Sequence, residues 1–466
     1  MTYEEIMQKL ICAGYECYKV GGCVRNKLWN LPVTDIDLVT SATPEQIASV
    51  FNNSVVTCGN SFLVTLVDGI EVATYRTDRT DYAEVAHTLD EDLKRRDFTI
   101  NALVETFDGI IPHFLEENII DIEHKILRAV GNPIDRFIED PVRIIRGLRF
   151  TAVYGLSIHY KTAEAMYVCM PLVKHVPKER LRFELKKALA TTGGHAFLVK
   201  LLEYGLFYEF FPNLESLIKD GGKYHGETVI EHSLLVVENL DKIGCTNWLL
   251  KVAALYHDIG KTTYEVDEEG YVHFPGHEQH DDDKLVQDLA WLKFSCEEID
   301  YVQTLKRLHM HCLGESDKKI SKKSVRKLVS RLKDKNIPLK DWFMLRYADK
   351  AGNLKHDDVK WANFRKKYRK ILECLKDFHT FSIKDLAVDG HDVMRELDLT
   401  QGKEVGMVLK DMFEMVQNEQ IENNRDALID YLRKAQEINE QDGEVDELLR
   451  VTKISRSKRG KIGEYY

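Results

Sequence analysis

The first 130 residues break into short apolar runs separated by turn residues, and the remainder of the chain is spaced for helices. Ile6, Leu10 and Ile11 carry helical spacing that ends at Gly14. The apolar run from Tyr15 to Val20 meets Gly21 and Gly22, then a segment with Arg25 and Lys27, then a second apolar run around Ile36. This reads as strand, turn, helix, strand. Residues 44–51 predict a short helix. Phe62–Val67 and Ile70–Arg76 flank Asp68-Gly69, the strongest hairpin signal in the chain. Thr77–Leu93 is polar and acidic and predicts a mobile connection. Ile138–Phe150 opens as a helix, with acids and Pro141 in its first turn and Ile144, Ile145 and Leu148 at core spacing.

Composition narrows the classes. A chain of 466 residues has length for two to four domains, and 44% hydrophobic with 30% charged residues describes an ordinary folded protein. No apolar run is long enough to span a bilayer, so no membrane partner is expected. The nine cysteines are scattered without a paired spacing, which points to a reducing cytoplasm. The net charge of −11 excludes a surface coated in cations, so any nucleic-acid contact must be local. One such patch is Lys178, Arg180, Arg182, Lys186 and Lys187. Lys318–Lys335 and Arg365–Lys370 are others, equally readable as solvated faces.

Candidate chemistry sits in the same segments. On a strand, Asp35 and Asp37 would face the same way, and two adjacent carboxylates suit a hard cation such as magnesium; an exposed pair of aspartates is the bland alternative. Gly22 permits close backbone approach to phosphate, and Arg25, Arg95 and Arg96 can neutralise it. Asp97 and Asn101 can hydrogen-bond sugar hydroxyls. Asp140 and Arg143, three residues apart, can present an acceptor and a donor fork to a base edge, or form an ordinary salt bridge.

Taken in order, Gly21-Gly22…Arg25, Asp35…Asp37, the string RRDFTINA from Arg95 to Ala102 and the E-D-x-x-R string at Glu139–Arg143 resemble the polymerase beta-like nucleotidyltransferases. The class is the one holding tRNA nucleotidyltransferases and bacterial poly(A) polymerases. Asn26 stands where the family pattern has aspartate. The resemblance implies an α+β fold: a small mixed-sheet head (1–130), a helical neck for base selection and tRNA binding (131–215), an HD-type helical domain (220–375) and a C-terminal helical tail (376–466). It implies catalysis at Asp35 and Asp37 with Glu71 as third carboxylate, and nucleotide contacts from Gly22, Arg25, Arg95, Arg96, Asp97, Asn101, Asp140, Arg143, Arg146 and Arg149. The basic run from Lys178 to Lys187 would follow tRNA. The implied activity is CCA addition to tRNA 3′ ends from CTP and ATP, by a monomer or homodimer. The segment between Arg76 and Arg95 is shorter than the family's flexible loop. A CC-adding specialist is therefore the alternative, and a poly(A) polymerase a neighbour with the same fold.

Histidine is concentrated between His225 and His311. His257-Asp258 in ALYHDIGK, with His232 upstream and Asp349 downstream, resembles the HD superfamily of metal-dependent phosphohydrolases. That resemblance implies a divalent transition metal or magnesium on His232, His257, Asp258 and Asp349, with His277 nearby. A phosphatase or cyclic phosphodiesterase is the reading from this different class; a scaffold without metal is its bland counterpart.

Overall fold

The computed structural model describes residues 1–442 apart from 53–54, 58–62, 79–82, 113–116, 218–227, 263, 269–271, 312–321, 353–357, 377–382 and 418–419. The chain forms two compact units: Met1–Ile218 with Leu234–Val252 and Asp283–Ser295, and Lys219–Ser233 with Ala253–Asp282 and Cys296–Tyr466.

The first unit opens with α1 (Tyr3–Cys12), capped by Thr2 and Glu5, then β1 (Cys17–Val20), α2 (Gly22–Leu28), β2 (Leu38–Thr40) and α3 (Pro44–Val50). Strands β3 (Val55–Thr57), β4 (Val64–Val67) and β5 (Ile70–Thr74) follow. The hairpin expected at Asp68-Gly69 forms, with φ of +48° and +84° at those residues, which is why asparagine, aspartate or glycine is needed there. With β8 (Val104–Glu105) the strands form a six-stranded mixed sheet in the order β3-β4-β5-β2-β1-β8. β2 lies parallel to β5 and antiparallel to β1. Every residue of β2 is buried, because both faces of the sheet are covered. Ile6, Leu10 and Ile47 pack against Leu38 and Val72 on one face, and Leu89, Leu93 and Tyr75 against Val39 and Val104 on the other.

Thr77–Leu93 is not a featureless connection. Its described residues build β6 (Arg76–Asp78) paired with β7 (Ala83–Val85), and α4 (Leu89–Lys94) with a Thr88–Glu91 capping box. After α5 (Glu117–Glu123), the string expected as one helix from residue 138 is split between α6 (Pro133–Glu139) and α7 (Val142–Tyr154). Asp140 at the junction has φ −149° and ψ 93°. Proline forces this, since the residue before it is pushed out of the helical region. α8 (Tyr160–Cys169), α9 (Lys178–Leu189), α10 (Gly194–Glu203) and α11 (Phe207–Phe210) continue the unit.

Helices α12 (Val229–Lys242), α13 (Trp248–Tyr256) and α14 (Asp282–Trp291) contribute to both units. The second unit adds α15 (Cys296–Leu308), α16 (Lys322–Asp334), α17 (Leu339–Gly352) and α18 (Asp358–Lys376). It ends in α19 (Gly390–Leu397), α20 (Lys403–Gln417) and α21 (Arg425–Asp442), which share a core of Val393, Met412, Phe413, Leu428 and Leu432. The loop around Gly221 and the basic end from Val451 lie outside the described residues. No described helix is long and apolar enough to cross a membrane.

Candidate functional site

The glycine turn between β1 and α2 sits at the bottom of the head site. Gly21 has φ +75° and ψ −124°, a conformation that favours glycine, while a Cβ there would meet the Asn101 carbonyl at 3.6 Å and Arg96 at 3.7 Å, ordinary contact distances. Gly22 is the first residue of α2. Arg25, buried, lies beneath the site: its guanidinium donates to Asn101 Oδ1, to Tyr154 Oη at 3.0 Å and to Asn26 Oδ1 at 2.9 Å, and stacks 4.6 Å from the Tyr154 ring. Asn26, the departure from the pattern, therefore serves as a neutral acceptor for Arg25 and donates onward to the Pro32 carbonyl.

Asp35 and Asp37 precede β2 rather than belonging to it, correcting the expectation of two aspartates within a strand. Asp37 still continues the ladder, its carbonyl accepting from Val20. The register Leu38–Val72 extends by one step to bring Asp37 alongside Glu71. Desolvation, then Glu71, then Asp35 raise the Asp37 carboxyl above its ordinary range, opposed by Arg96 and Lys187; solvent exposure screens part of this. Three carboxylates acting on one another with oxygen donors only is a set that fits a hard divalent cation.

Asp92, absent from the sequence expectations, orders the two arginines expected to meet phosphate. Its fully buried carboxylate accepts from Arg95 at 2.8 Å through Oδ1 and from Arg96 at 2.8 Å through Oδ2. Burial disfavours its charge, but Arg96 and Arg95 outweigh that and hold its carboxyl below the usual range. Asp97 accepts from Asn101 Nδ2 at 3.1 Å and from Arg146 Nε at 2.9 Å; here too burial is overcome, chiefly by Arg146. Arg146 passes to Glu184, which also accepts from Arg149 at 2.6 Å. A continuous network thus runs Arg25, Asn101, Asp97, Arg146, Glu184, Arg149.

Above it an open pocket of about 490 Å³ is lined by Arg76, Arg95, Arg96, Asp97, Asp140 and Arg143, with Glu179, Arg180, Phe183 and Glu184 of α9 opposite. Asp140 is gripped by both nitrogens of Arg180 at 2.9 and 2.7 Å. Arg143 donates to Glu139 at 2.9 Å and to the Arg136 and Arg95 carbonyls. The rest of α9 splits by helical spacing. Lys178, Arg182 and Lys186, four residues apart, lie over Trp291, Phe294 and Trp248, whereas Lys187 lies 4.2 Å over the Phe183 ring.

In the second unit the histidines converge. His257 Nδ1 donates to the Ala254 carbonyl at 2.7 Å, His277 Nδ1 to Phe274 at 2.9 Å, His309 Nδ1 to Lys306 at 2.6 Å and His232 Nδ1 to Gly352 at 3.3 Å. A carbonyl only accepts, so each Nδ1 carries a proton, and the Nε2 atoms of His232, His257, His277 and His309 lie 3.9, 3.2, 3.1 and 3.6 Å from the Asp258 carboxylate. Two triads could each hold a metal ion, His232–His257–Asp258 and Asp258–His277–His309, with Asp258 common to both. Asp349 Oδ1 lies 3.2 Å from His232 Nε2 and is oriented by Arg346. Gly260 is indispensable, because a Cβ would fall 1.9 Å from the His277 carbonyl. Among the described residues, the head carboxylates are not drawn to the close spacing of these triads.

Residues 17–128 match the poly A polymerase head domain, 155–218 the "probable RNA and SrmB-binding site of polymerase A", and 264–432 tRNA nucleotidyltransferase domain 2. The chain belongs to the class II tRNA nucleotidyltransferase family. A CCA-adding enzyme of Limosilactobacillus reuteri is 38% identical over 221 residues, 45% of this chain and 54% of that protein. One of Streptococcus gordonii is 37% identical over 220 residues, 45% and 55% respectively. The chain thus spans about half the length of the curated relatives it matches. Among solved structures, the Bacillus stearothermophilus CCA-adding enzyme in complex with CTP has a TM-score of 0.64 at 23% identity, covering 95% of this chain and 100% of that one. The Thermotoga maritima CCA-adding enzyme complexed with tRNA has 0.54 at 17%, covering 93% and 94%. The mixed sheet followed by helices is the fold of this nucleotidyltransferase family.

Asp92, Glu184 and His309 extend the expected site, and His277 stands in it as expected. Asp92 stands three and four residues before Arg95 and Arg96, the spacing of helical ion pairs, and that was its signal. Glu184 is, with Glu179, one of two acids in a cationic run. His309 carried no local cue.

Proposed function

We propose that this nucleotidyltransferase adds CCA to the 3′ end of tRNA from CTP and ATP in the cytoplasm. The observation that carries this is one pocket lined by cations preset by Asp92, by Asp97, which Asn101 holds from behind through its amide, and by Asp140 and Arg143, the proposed base readers. The names of the relatives support it.

Magnesium bound by Asp35 and Asp37, beside Glu71, would supply charge neutralisation at the reacting phosphate and acidify the attacking hydroxyl. The remaining roles are the chain's own. Arg95 and Arg96, their forks already paid for in ordering by Asp92, face the triphosphate. Asp97 and Asn101 meet the ribose. Asp140, an acceptor, and Arg143, a donor, meet the amino group and ring nitrogen that cytosine and adenine share; uracil and guanine would leave these groups unpaired. Lys178, Arg180, Arg182, Lys186 and Lys187 of α9 lie along the path proposed for tRNA.

The test is incorporation on tRNA transcripts ending at the discriminator base, after one C and after two C, each nucleoside triphosphate offered singly and together. Completion of CCA on all three supports the reading. A stop after two cytidines makes this a CC-adding enzyme, and long adenosine tails move it to the polymerase branch. The double variant Asp35→Ala, Asp37→Ala loses incorporation; persistence would refute the site.

The four proton-locked histidines favour a second, separate activity in the HD-like unit. His232, His257, Asp258 and Asp349, joined by His277 and His309, form an N/O donor set that fits divalent transition metals, whose chemistry there is activation of water for phosphoester hydrolysis. Lys261 Nζ, 2.8 Å from Asp258, supplies a cation for a phosphate. Metal analysis of the purified protein and hydrolysis of a 2′,3′-cyclic nucleotide test it.

A further inference from the structure

Phe183 contradicts its surroundings. Its side chain is 52% exposed, yet it lines a pocket otherwise walled almost wholly by arginine and carboxylate. Besides buried Val142 it is the only apolar side chain among the described residues that line the pocket. Helical spacing puts it on the same face of α9 as Glu179, Arg180 and Lys187. Arg180 holds Asp140, the proposed base acceptor, and Lys187 both lies 4.2 Å over the Phe183 ring and bears electrostatically on Asp37. The ring therefore shares its helix face with Arg180, which holds the group that would read the base edge, and with Lys187, which packs on the ring itself.

A nucleotide has a polar edge, a charged tail and two flat apolar faces. Asp140 and Arg143 answer the edge, and Arg95 and Arg96 the tail. Resting on the CCA-adding reading, we infer that Phe183 is the stacking platform for the base of the incoming CTP or ATP. An aromatic face suits this site, because stacking is indifferent to which of two bases is present and leaves selection to the edge. The cation over the ring anchors it without closing the pocket.

The test is calorimetric binding of CTP, ATP and inorganic tripolyphosphate to the full chain and to Phe183→Ala and Phe183→Trp, alongside KM and kcat for incorporation. Phe183→Ala should weaken CTP and ATP roughly tenfold, seen in KM more than kcat, and leave tripolyphosphate unchanged; Phe183→Trp should bind at least as well as the parent. Equal weakening of tripolyphosphate, unchanged nucleotide affinity, or a rise only in the KM for tRNA would overturn the inference. The two readings fail separately. Nucleotide binding lost in Phe183→Ala by a parent that adds nothing to tRNA would keep the platform and discard the transferase, and a parent that adds CCA with Phe183→Ala unaltered would do the reverse.

Discussion

Glu184 accepts a 2.6 Å hydrogen bond from Arg149 Nε, both side chains buried, and the same carboxylate reaches Arg146 at 3.3 Å. This joins α9 to α7 at the level of the pocket floor. Removing the acid takes the carboxylate from buried Arg149 and one of two carboxylates from Arg146, which keeps Asp97. Glu184→Ala should cost on the order of 3 kcal/mol in chemical denaturation, with Glu184→Asp intermediate. A loss below about 0.5 kcal/mol would mean the arginines find water instead.

The proposed base-reading role of Asp140 and Arg143 predicts a selectivity change. Asp140→Ala removes the acceptor for an amino group and should lower kcat/KM for CTP and ATP by roughly a hundredfold while raising the relative use of UTP. Single-nucleotide incorporation with all four triphosphates measures this. Uniform loss without a change in ratio would make Asp140 a structural partner of Arg180 alone.

The shared Asp258 predicts metal stoichiometry. Asp258→Asn should abolish binding at both triads, whereas His309→Ala leaves His232, His257 and Asp258 and should retain one equivalent. Elemental analysis after dialysis distinguishes the two; complete loss in His309→Ala would argue for a single ion.

Acid sensitivity follows from Asp92 and Asp97, whose carboxyls are held below the ordinary range in the folded chain by Arg96 with Arg95 and by Arg146 against the effect of burial. A carboxyl depressed by folding contributes stability above its unfolded pKa of about 3.9 and loses it as pH falls through the folded value. The melting temperature should therefore hold from pH 7 to about 5 and fall below about pH 4, with a shallower fall in Asp92→Asn. Parallel acid limbs for parent and variant would remove Asp92 from this account.

Local order was legible in the chain wherever one residue's chemistry acts on its neighbours. Asp68-Gly69 forces its hairpin through positive φ and reads as such, whereas the Thr88–Glu91 cap of α4 and the break that Pro141 imposes at Asp140 are equally local signals that hydrophobic spacing alone passed over. The pattern rules also exposed the carboxylates, the arginines and His257-Asp258, because their types and spacings are unusual together. What the chain did not show is which groups are spent holding others. Arg25, expected to meet phosphate, is held by Asn101, Asn26 and Tyr154, and Lys178, Arg182 and Lys186 rest over Trp291, Phe294 and Trp248 while Lys187 lies over Phe183.

The sequence by itself determined the strand–turn–helix head, the paired acids, the RRDFTINA string and the helical body, since propensity, turn chemistry and short spacings act within a few residues. Only the tertiary structure decided that Glu71 stands beside Asp37, that Glu184 crosses to Arg146 and Arg149, and that His309 meets His277 with Nε2 atoms 3.1 Å apart. Those pairs are separated by 32 to 38 residues, and sheet register and helix packing set them, which no local pattern encodes.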